Sequence, residues 1–256
     1  KLLEYMKKII ISTLLAGALV STAFAENLDT VVPSVPEVSA VYSVTERSES
    51  IITKNLTRIK ARGAQLIKER VNSLTSNKNS IENSKLTVEQ KAALSTVITT
   101  NINGLTTLGT SIASSTDATS TKVLVNKIFT DFRIYAIVIP QLRLEKRIYD
   151  LQNHIPKLNE TFTKIQTKID DQKAKGKDVT VWQKSLDDAK TLVATDTAKL
   201  SSLFTQISAL KPSDYGTTSK ATIESVNAGG KLVAKDFASI SKVARAPRLA
   251  KLHQSA

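Results

Sequence analysis

Few residues of this 256-residue chain are of a type that could do acid–base or metal chemistry. The chain has two histidines, His154 and His253. His154 follows Asp150 by four residues, but catalysis or metal binding would need further converging side chains, and the sequence places none beside it. We therefore interpret His154 as a solvent-facing residue. His253 lies in a basic C-terminal stretch, residues 246–256, that we expect to be a flexible tail.

The carboxylates offer one position of interest. The adjacent pairs Asp170–Asp171 and Asp187–Asp188 are typical of solvated helix faces, because neighbouring side chains on a helix point about 100° apart. Asp196 differs from them, since it occupies a position in an apolar helical stripe, where a buried carboxylate needs a partner. We interpret it as a polar core residue that sets the helix register, either paired with a lysine of a neighbouring helix or shifted to the bundle edge.

Motifs for phosphate binding and nucleophilic catalysis are incomplete. The sequence Gly229-Gly230-Lys231 resembles part of a phosphate loop, but it lacks the preceding strand and the full spacing, so we attribute the glycines to close helix packing. No serine lies in a nucleophile-elbow context, and there is no cysteine to supply a thiolate or a disulfide. The sequence predicts a protein that is not an enzyme, with no catalytic residue, no metal ligand and no cofactor.

Helices account for most of the chain. Apolar residues recur at alternating steps of three and four, which indicates helices with one buried stripe each. We predict an all-α fold, an elongated antiparallel helical bundle with coiled-coil-like heptad stripes and about five to six helices. The expected segments are an extended linker at 26–42, a helical hairpin at 43–115, and a short helix plus three-helix bundle at 116–245.

The hairpin has two predicted helices. The first runs over about 44–82, and its stripe includes Ile52. The second begins at Thr87, because Thr87 and Gln90 have the spacing of a capping box. Its Thr, Asn and Gly content lowers helix propensity and leaves a strand as the alternative. Its expected core residues are Leu94, Ile98, Leu105, Leu108 and Ile112.

The second half has the clearest periodicity. An unbroken stripe from Leu144 to Ile169 passes through Pro156, which predicts one bent helix with a kink near Gln152 or Asn153. Gly176 should end this helix in the left-handed conformation, and Asp178 should cap the next one. The stripe of that next helix is expected to include Val179, Trp182, Leu186, Ala189, Val193, Asp196, Leu200, Leu203, Ile207 and Leu210.

The most apolar internal run is FRIYAIVIP, residues 132–140. We place it on a short helix capped by Asp117 or Thr121, and we interpret it as a hydrophobic junction where that helix turns into the bundle at Pro140. It is far too short to span a bilayer. The alternative, a binding site, depends on whether Arg133 and Tyr135 face solvent.

The same run carries a resemblance. Residues 133–140 (RIYAIVIP), followed by 174–180 (AKGKDVT), resemble an uncharacterised family of secreted helical proteins from small-genome bacteria of the candidate phyla. The similarity covers about 120–245. It implies export and a helical architecture, and it implies no particular activity.

The N-terminus is typical of a secretory signal peptide. Met6-Lys7-Lys8 opens a basic region, an apolar stretch follows at 9–20, and Ala23-Phe24-Ala25 is a small-x-small site with cleavage expected after Ala25. Residues 1–5 are interpreted as upstream sequence. The alternative to a cleaved signal peptide is a retained membrane anchor. No later segment is long enough to span a bilayer, so the mature chain is expected to be extracytoplasmic, secreted or in the cell envelope.

The charge balance is the main clue to function. The formal net charge is +13, and it falls to +11 without residues 1–25. Such a balance outside the cytoplasm suggests contact with a polyanion, although a charged surface without a partner is the plain alternative. The residues expected to bind a partner are Arg133, Tyr135, Lys242, Arg245, Arg248 and Lys251.

We therefore expect an exported interaction or structural module of the cell surface that contacts a polyanion or a protein partner. Specific nucleic-acid recognition is not expected, because aromatic residues are sparse among the basic stretches. The alternative is a membrane-active protein that inserts its apolar segment into a target bilayer. The sequence leaves self-association open.

Overall fold

The computed structural model describes the backbone of residues 38–243 and the side chains of 49–241. The expected signal peptide with Ala25, residues 26–37 of the expected linker, and the C-terminal residues Arg245, Arg248 and Lys251 lie outside the described residues. Lys242 lies in the last described helix, but its side chain lies outside the described set.

Residues 38–243 form an all-α helical bundle without a strand, as predicted. The helices in this range are α1 (Val38–Glu82), α2 (Val88–Ser114), α3 (Ala118–Thr130), α4 (Ile139–Gln152), α5 (Ile155–Ala174), α6 (Thr180–Ser208) and α7 (Ser219–Val243). A single π-helical turn, Ile134–Val138, precedes α4, and a short 3₁₀ turn, Pro212–Asp214, precedes α7. The described range thus has seven α-helices where the sequence predicted five to six. Residues 48–243 belong to one compact unit.

Helices α1 and α2 form an antiparallel hairpin. The Nζ of Lys91 donates to the carbonyl of Glu82 at 2.8 Å near the turn, and the Nζ of Lys60 donates to the carbonyl of Ala113 at 2.7 Å near the open end. Helix α1 begins at Val38, so residues 38–42 are helical where the sequence predicted an extended linker. Ile52, expected in the buried stripe, is 59% exposed.

The start of α2 confirms the capping box. The Thr87 hydroxyl accepts a hydrogen bond from the Gln90 amide at 3.3 Å, and the Gln90 side chain accepts one from the Thr87 amide at 3.1 Å. This satisfies two amides that the first turn of a helix leaves unpaired. All five predicted core residues of α2 are buried, and the strand alternative is wrong.

The predicted kink before Pro156 is a full break between two helices. The amide of His154 donates to the carbonyl of Leu151, three residues back, instead of four. Pro156 has no amide hydrogen to continue the ladder, and the regular helix stops at Gln152. The Asn153 side chain at the break exchanges two hydrogen bonds with Gln90 of α2, at 3.2 and 2.9 Å. This pair fixes the position of the break against the start of α2.

The turn between α5 and α6 follows the predicted chemistry closely. Gly176 has φ +74°, and the amides of Gly176 and Lys177 donate to the carbonyls of Lys173 and Gln172. This is the hydrogen-bond pattern of a Schellman motif. The Asp178 carboxylate accepts from the Thr180 amide at 2.9 Å, which lowers the pKa of Asp178. The cap position itself is Val179, one residue later than predicted.

The core has two clusters that meet in α4. The first is built from α1, α2, α3, the π turn and the beginning of α4, and the second is built mainly from α4 to α7. Ile137 and Ile148 belong to the second cluster, whereas Val138, Ile139 and Leu142 belong to the first. Helix α4 therefore contributes to both clusters.

Helices α6 and α7 pack closely and antiparallel. A Cβ atom added to Gly229 would lie 2.9 Å from both Cδ atoms of Leu203. The prediction that Gly229 allows close packing is confirmed. Trp182 is 51% exposed and does not take the stripe position that the sequence predicted for it.

Candidate functional site

The apolar run 132–140 opens α4 instead of ending α3. Helix α3 stops at Thr130, and Arg133 takes the left-handed conformation with φ 46° and ψ 38°. The carbonyl of Arg133 accepts from the amides of Ala136 and Ile137 at 3.1 and 2.8 Å. The chain therefore turns at residues 131–133, and the predicted turn at Pro140 is wrong. Pro140 lies in the first turn of α4, directly after the π turn.

The apolar residues of this run form a core junction, as predicted. Ile134, Ile137, Val138 and Ile139 are all buried. Asp117, not Thr121, caps α3, because its carboxylate accepts from the Ser120 amide at 2.8 Å.

The two polar residues of the run point to different neighbours. The Arg133 guanidinium lies 4.0 Å from the centre of the Tyr215 ring, and its Nε is buried without a hydrogen-bond partner among the described residues. Tyr215 belongs to the connection between α6 and α7. Tyr135 is 50% exposed, and its hydroxyl lies 3.1 Å from the Ser73 Oγ of α1. The junction thus contacts α1 through Tyr135 and the α6–α7 connection through Arg133.

Arg70 of α1 is a site residue that the sequence analysis missed. It is only 6% exposed, and its guanidinium lies between two aromatic rings, 4.8 Å from the centre of Phe129 and 5.2 Å from that of Tyr135. One guanidinium nitrogen donates to the carbonyl of Leu66 at 2.9 Å. The signal was present, because Arg70 continues the buried stripe between Ile67 and Leu74 in steps of three and four.

The rest of α1 carries exposed cations without carboxylate partners. Residues 49–82 contain seven cations and three acids. The ion pairs among residues 49–241 all lie within α4, α6 or α7: Lys146–Asp150, Lys184–Asp188, Lys190–Asp187 and Lys220–Glu224. In the described part of α1, therefore, no cation is paired with a carboxylate.

Three of these cations form a row along the helix. Lys54, Arg58 and Arg62 are exposed and recur every four residues, so they lie on one face. No acid stands three or four residues from any of them. We call these three residues the cationic row. Like charges at this spacing destabilise a helix by about 0.2–0.5 kcal/mol per pair, so the cationic row does not stabilise α1.

A polar groove separates α1 from α4. Its volume is about 290 Å³. We call it the α1–α4 groove, and it is lined by Ser76, Asn77, Ser80 and Ile81 of α1 and by Leu142, Arg143 and Lys146 of α4. Two cations and two hydroxyls thus surround an apolar floor.

Asp196 is buried in the core without the partner that the sequence predicted. It is 2% exposed, and its Oδ2 has no hydrogen-bond partner among residues 49–241. Burial raises the pKa of Asp196, the charge of Asp236 on α7 raises it further, and Lys199 on the same helix opposes both. Neither a lysine of a neighbouring helix nor a place at the bundle edge satisfies this carboxylate, so both expected outcomes are wrong. The stripe spacing places Asp196 on the buried face of α6, and the packing of α7 against α6 places Asp236 near it.

The remaining residues that could do acid–base or metal chemistry do not form a site in the described structure. His154 is exposed, as predicted. Within the described residues, His, Asp and Glu side chains do not come together in a group of three or more that could hold a metal ion. Among the described residues, no helix is both long and apolar enough to cross a membrane.

Comparisons with known proteins find no match to this chain among protein-family models, curated proteins or solved structures.

Proposed function

We propose that the chain is an exported, non-enzymatic helical-bundle module of the cell surface or envelope that binds an anionic polymer through the cationic row of α1. The observation that carries this proposal is the row itself: Lys54, Arg58 and Arg62 are exposed, share a face and have no carboxylate partner in the described structure. The signal-peptide pattern at 6–25 and the resemblance to secreted helical proteins support the extracytoplasmic location.

The geometry of the row favours a polymer over a small anion. Four residues of an α-helix rise about 6 Å, so the three cations are strung along about 12 Å of the helix axis. A small anion requires donors that converge on one point, whereas a line of separate charges matches a ligand that repeats its own charge. Each exposed contact is weak and screened by salt, so affinity must come from several of them together.

The membrane-active alternative receives less support. The apolar residues 134 and 137–139 are buried in the core, so insertion into a bilayer would first require the junction to unpack. Dye leakage from anionic vesicles measures that activity directly, and we expect none at micromolar protein.

The test compares two triple variants of equal charge. We expect K54Q/R58Q/R62Q to bind immobilised polyphosphate at least about tenfold more weakly than wild type, because three charge contacts of up to about 1 kcal/mol each are lost. The matched control, K157Q/K164Q/K168Q, removes three exposed lysines of α5 and should change affinity by less than about threefold. Equal losses in the two variants would reduce the effect to net charge and contradict the proposal.

A further inference from the structure

We infer that the α1–α4 groove binds one acidic sugar unit of the polymer, with the acid group on Arg143 and the ring hydroxyls on Ser76, Asn77 and Ser80. This inference rests on the proposed function, and it adds the chemical class of the ligand and a second contact site. It follows from the hydrogen-bonding groups that the groove leaves unused.

Arg143 is available to an anion. It is exposed, and within the described residues it takes part in none of the ion pairs or side-chain hydrogen bonds. Its planar guanidinium presents two parallel N–H donors, which match the two oxygens of a carboxylate or a phosphate. Lys146, the other cation of the groove, is paired with Asp150 at 2.8 Å. Arg143 is therefore the group that an incoming acid would meet.

The hydroxyls of the groove are also available. Many serine and threonine side chains of these helices bond to a carbonyl four residues earlier, as Thr57 and Ser73 do at 2.9 Å. Ser76 and Ser80 make no such bond and line the groove as exposed residues. The Asn77 amide nitrogen donates to the Ser73 carbonyl at 2.8 Å, which leaves the amide oxygen as an acceptor. Groups that can both donate and accept suit the hydroxyls of a sugar ring.

The floor and size of the groove fit a single ring. Ile81 and Leu142 are buried apolar side chains at its base, and they offer a surface for the C–H face of a sugar. A volume of about 290 Å³ is at the lower end of the range for ligand pockets, so the groove holds one unit and not a long stretch of polymer.

Tyr135 extends the site by one helical turn. Its hydroxyl contacts Ser73, and Ser73 is in turn hydrogen-bonded to Asn77 of the groove. The half-exposed ring of Tyr135 therefore lies next to the groove along α1, where an adjacent sugar of the chain can stack on it. Arg70 beneath the ring holds its orientation through the contact at 5.2 Å.

The experiment measures the affinity of the mature chain for three polymers of matched charge. Polygalacturonate presents carboxylates on sugar rings, phosphorylated dextran presents phosphates on sugar rings, and polyphosphate has no sugar. We expect S76A/S80A, which keeps the charge of the protein, to bind at least one of the two sugar polymers about tenfold more weakly than wild type and to bind polyphosphate within about twofold of wild type. The R143Q variant should lose affinity for the same sugar polymer, and the identity of that polymer shows whether the groove takes a carboxylate or a phosphate.

The control is T99A/T100A, which removes two exposed hydroxyls of α2 and should leave all three affinities unchanged. Alanine is a better helix former than serine or threonine, so neither double variant should harm folding. If wild type binds polyphosphate but S76A/S80A binds the sugar polymers normally, the groove inference is wrong and the cationic row still stands. If wild type binds none of the three polymers, the proposed function is wrong as well.

Discussion

At the scale of single residues, Arg133 combines a strained backbone with a specific contact. A non-glycine residue at φ 46° carries a steric penalty of about 1–2 kcal/mol, and the guanidinium contact with Tyr215 offsets part of it. Because the side chain packs on Tyr215, we assign Arg133 to the junction and not to a binding surface.

Two substitutions separate these effects. We expect R133A to lower the free energy of unfolding by about 1 kcal/mol, since the contact is lost and the strain remains. R133G should be more stable than R133A by about 1 kcal/mol, because glycine takes positive φ without penalty. Thermal and denaturant unfolding provide the values. An R133A protein with wild-type stability that no longer binds polyphosphate would instead place Arg133 at the ligand.

Asp196 predicts a pH dependence of stability. A carboxyl whose pKa is raised in the folded state holds its proton more tightly there than in the unfolded chain. Folding stability therefore falls as the pH rises from the ordinary carboxyl pKa through the raised one, and the penalty is fully present at higher pH.

The D196N variant removes this titration and keeps the side-chain size. We expect it to be more stable than wild type by about 1 kcal/mol at pH 7, because a buried unpaired charge is removed. The advantage should shrink as the pH falls through the raised pKa and should be lost below the ordinary carboxyl pKa. Burial also raises the pKa of Glu145. Because Glu145 is present in both proteins, its contribution to the pH dependence cancels in the difference between D196N and wild type. A difference in stability that stays constant with pH would mean that folding does not shift the pKa of Asp196.

At the scale of helices, the contact between α6 and α7 depends on a glycine. We expect G229A to lower the free energy of unfolding by about 1–3 kcal/mol, because its Cβ would meet Leu203 at 2.9 Å. The adjacent G230A is the control, since its nearest neighbour is the Arg147 Nε at 3.9 Å and alanine favours a helix. If both variants melt alike, close packing at Gly229 does not limit stability.

The helices were predictable where one local signal decided the outcome. The capping box at Thr87 and the left-handed Gly176 depend on residues a few positions apart, and both were placed correctly. The run 132–140 was assigned to the wrong helix, because its apolar spacing continues the stripe of α3 and nothing local marks the left-handed Arg133. Ile134 and Ile137, which follow the turn, pack into different core clusters, and this is long-range information that the local sequence does not carry.

The candidate site was less predictable than the fold. Tyr135 was identified, but its contacts with Arg70 and Ser73 join residues more than sixty positions apart. The groove likewise needs α1 and α4 side by side, which no periodicity specifies. Charge was visible in the sequence, whereas the absence of carboxylate partners along the described part of α1 required the arrangement of the helices.

At the scale of the whole molecule, the ion pairs of the described residues and the cations that we propose to bind a polymer lie in different helices. Helix α4 contributes to both core clusters, and the ion pairs of the described residues lie in α4, α6 and α7. The described cations of α1 have no part in those pairs. Charge substitutions on the exposed face of α1 should therefore change ligand binding while the protein remains folded.

The most direct test of polymer binding by α1 is the salt dependence of that binding. The slope of log K against log salt concentration counts the charge contacts, at about 0.7–0.9 per contact for nucleic-acid polyanions. For polyphosphate we expect a steep negative slope for wild type, a slope shallower by about 2 for K54Q/R58Q/R62Q, and a slope close to wild type for K157Q/K164Q/K168Q. Equal slopes for wild type and the row variant, or binding that is indifferent to salt, would contradict the account.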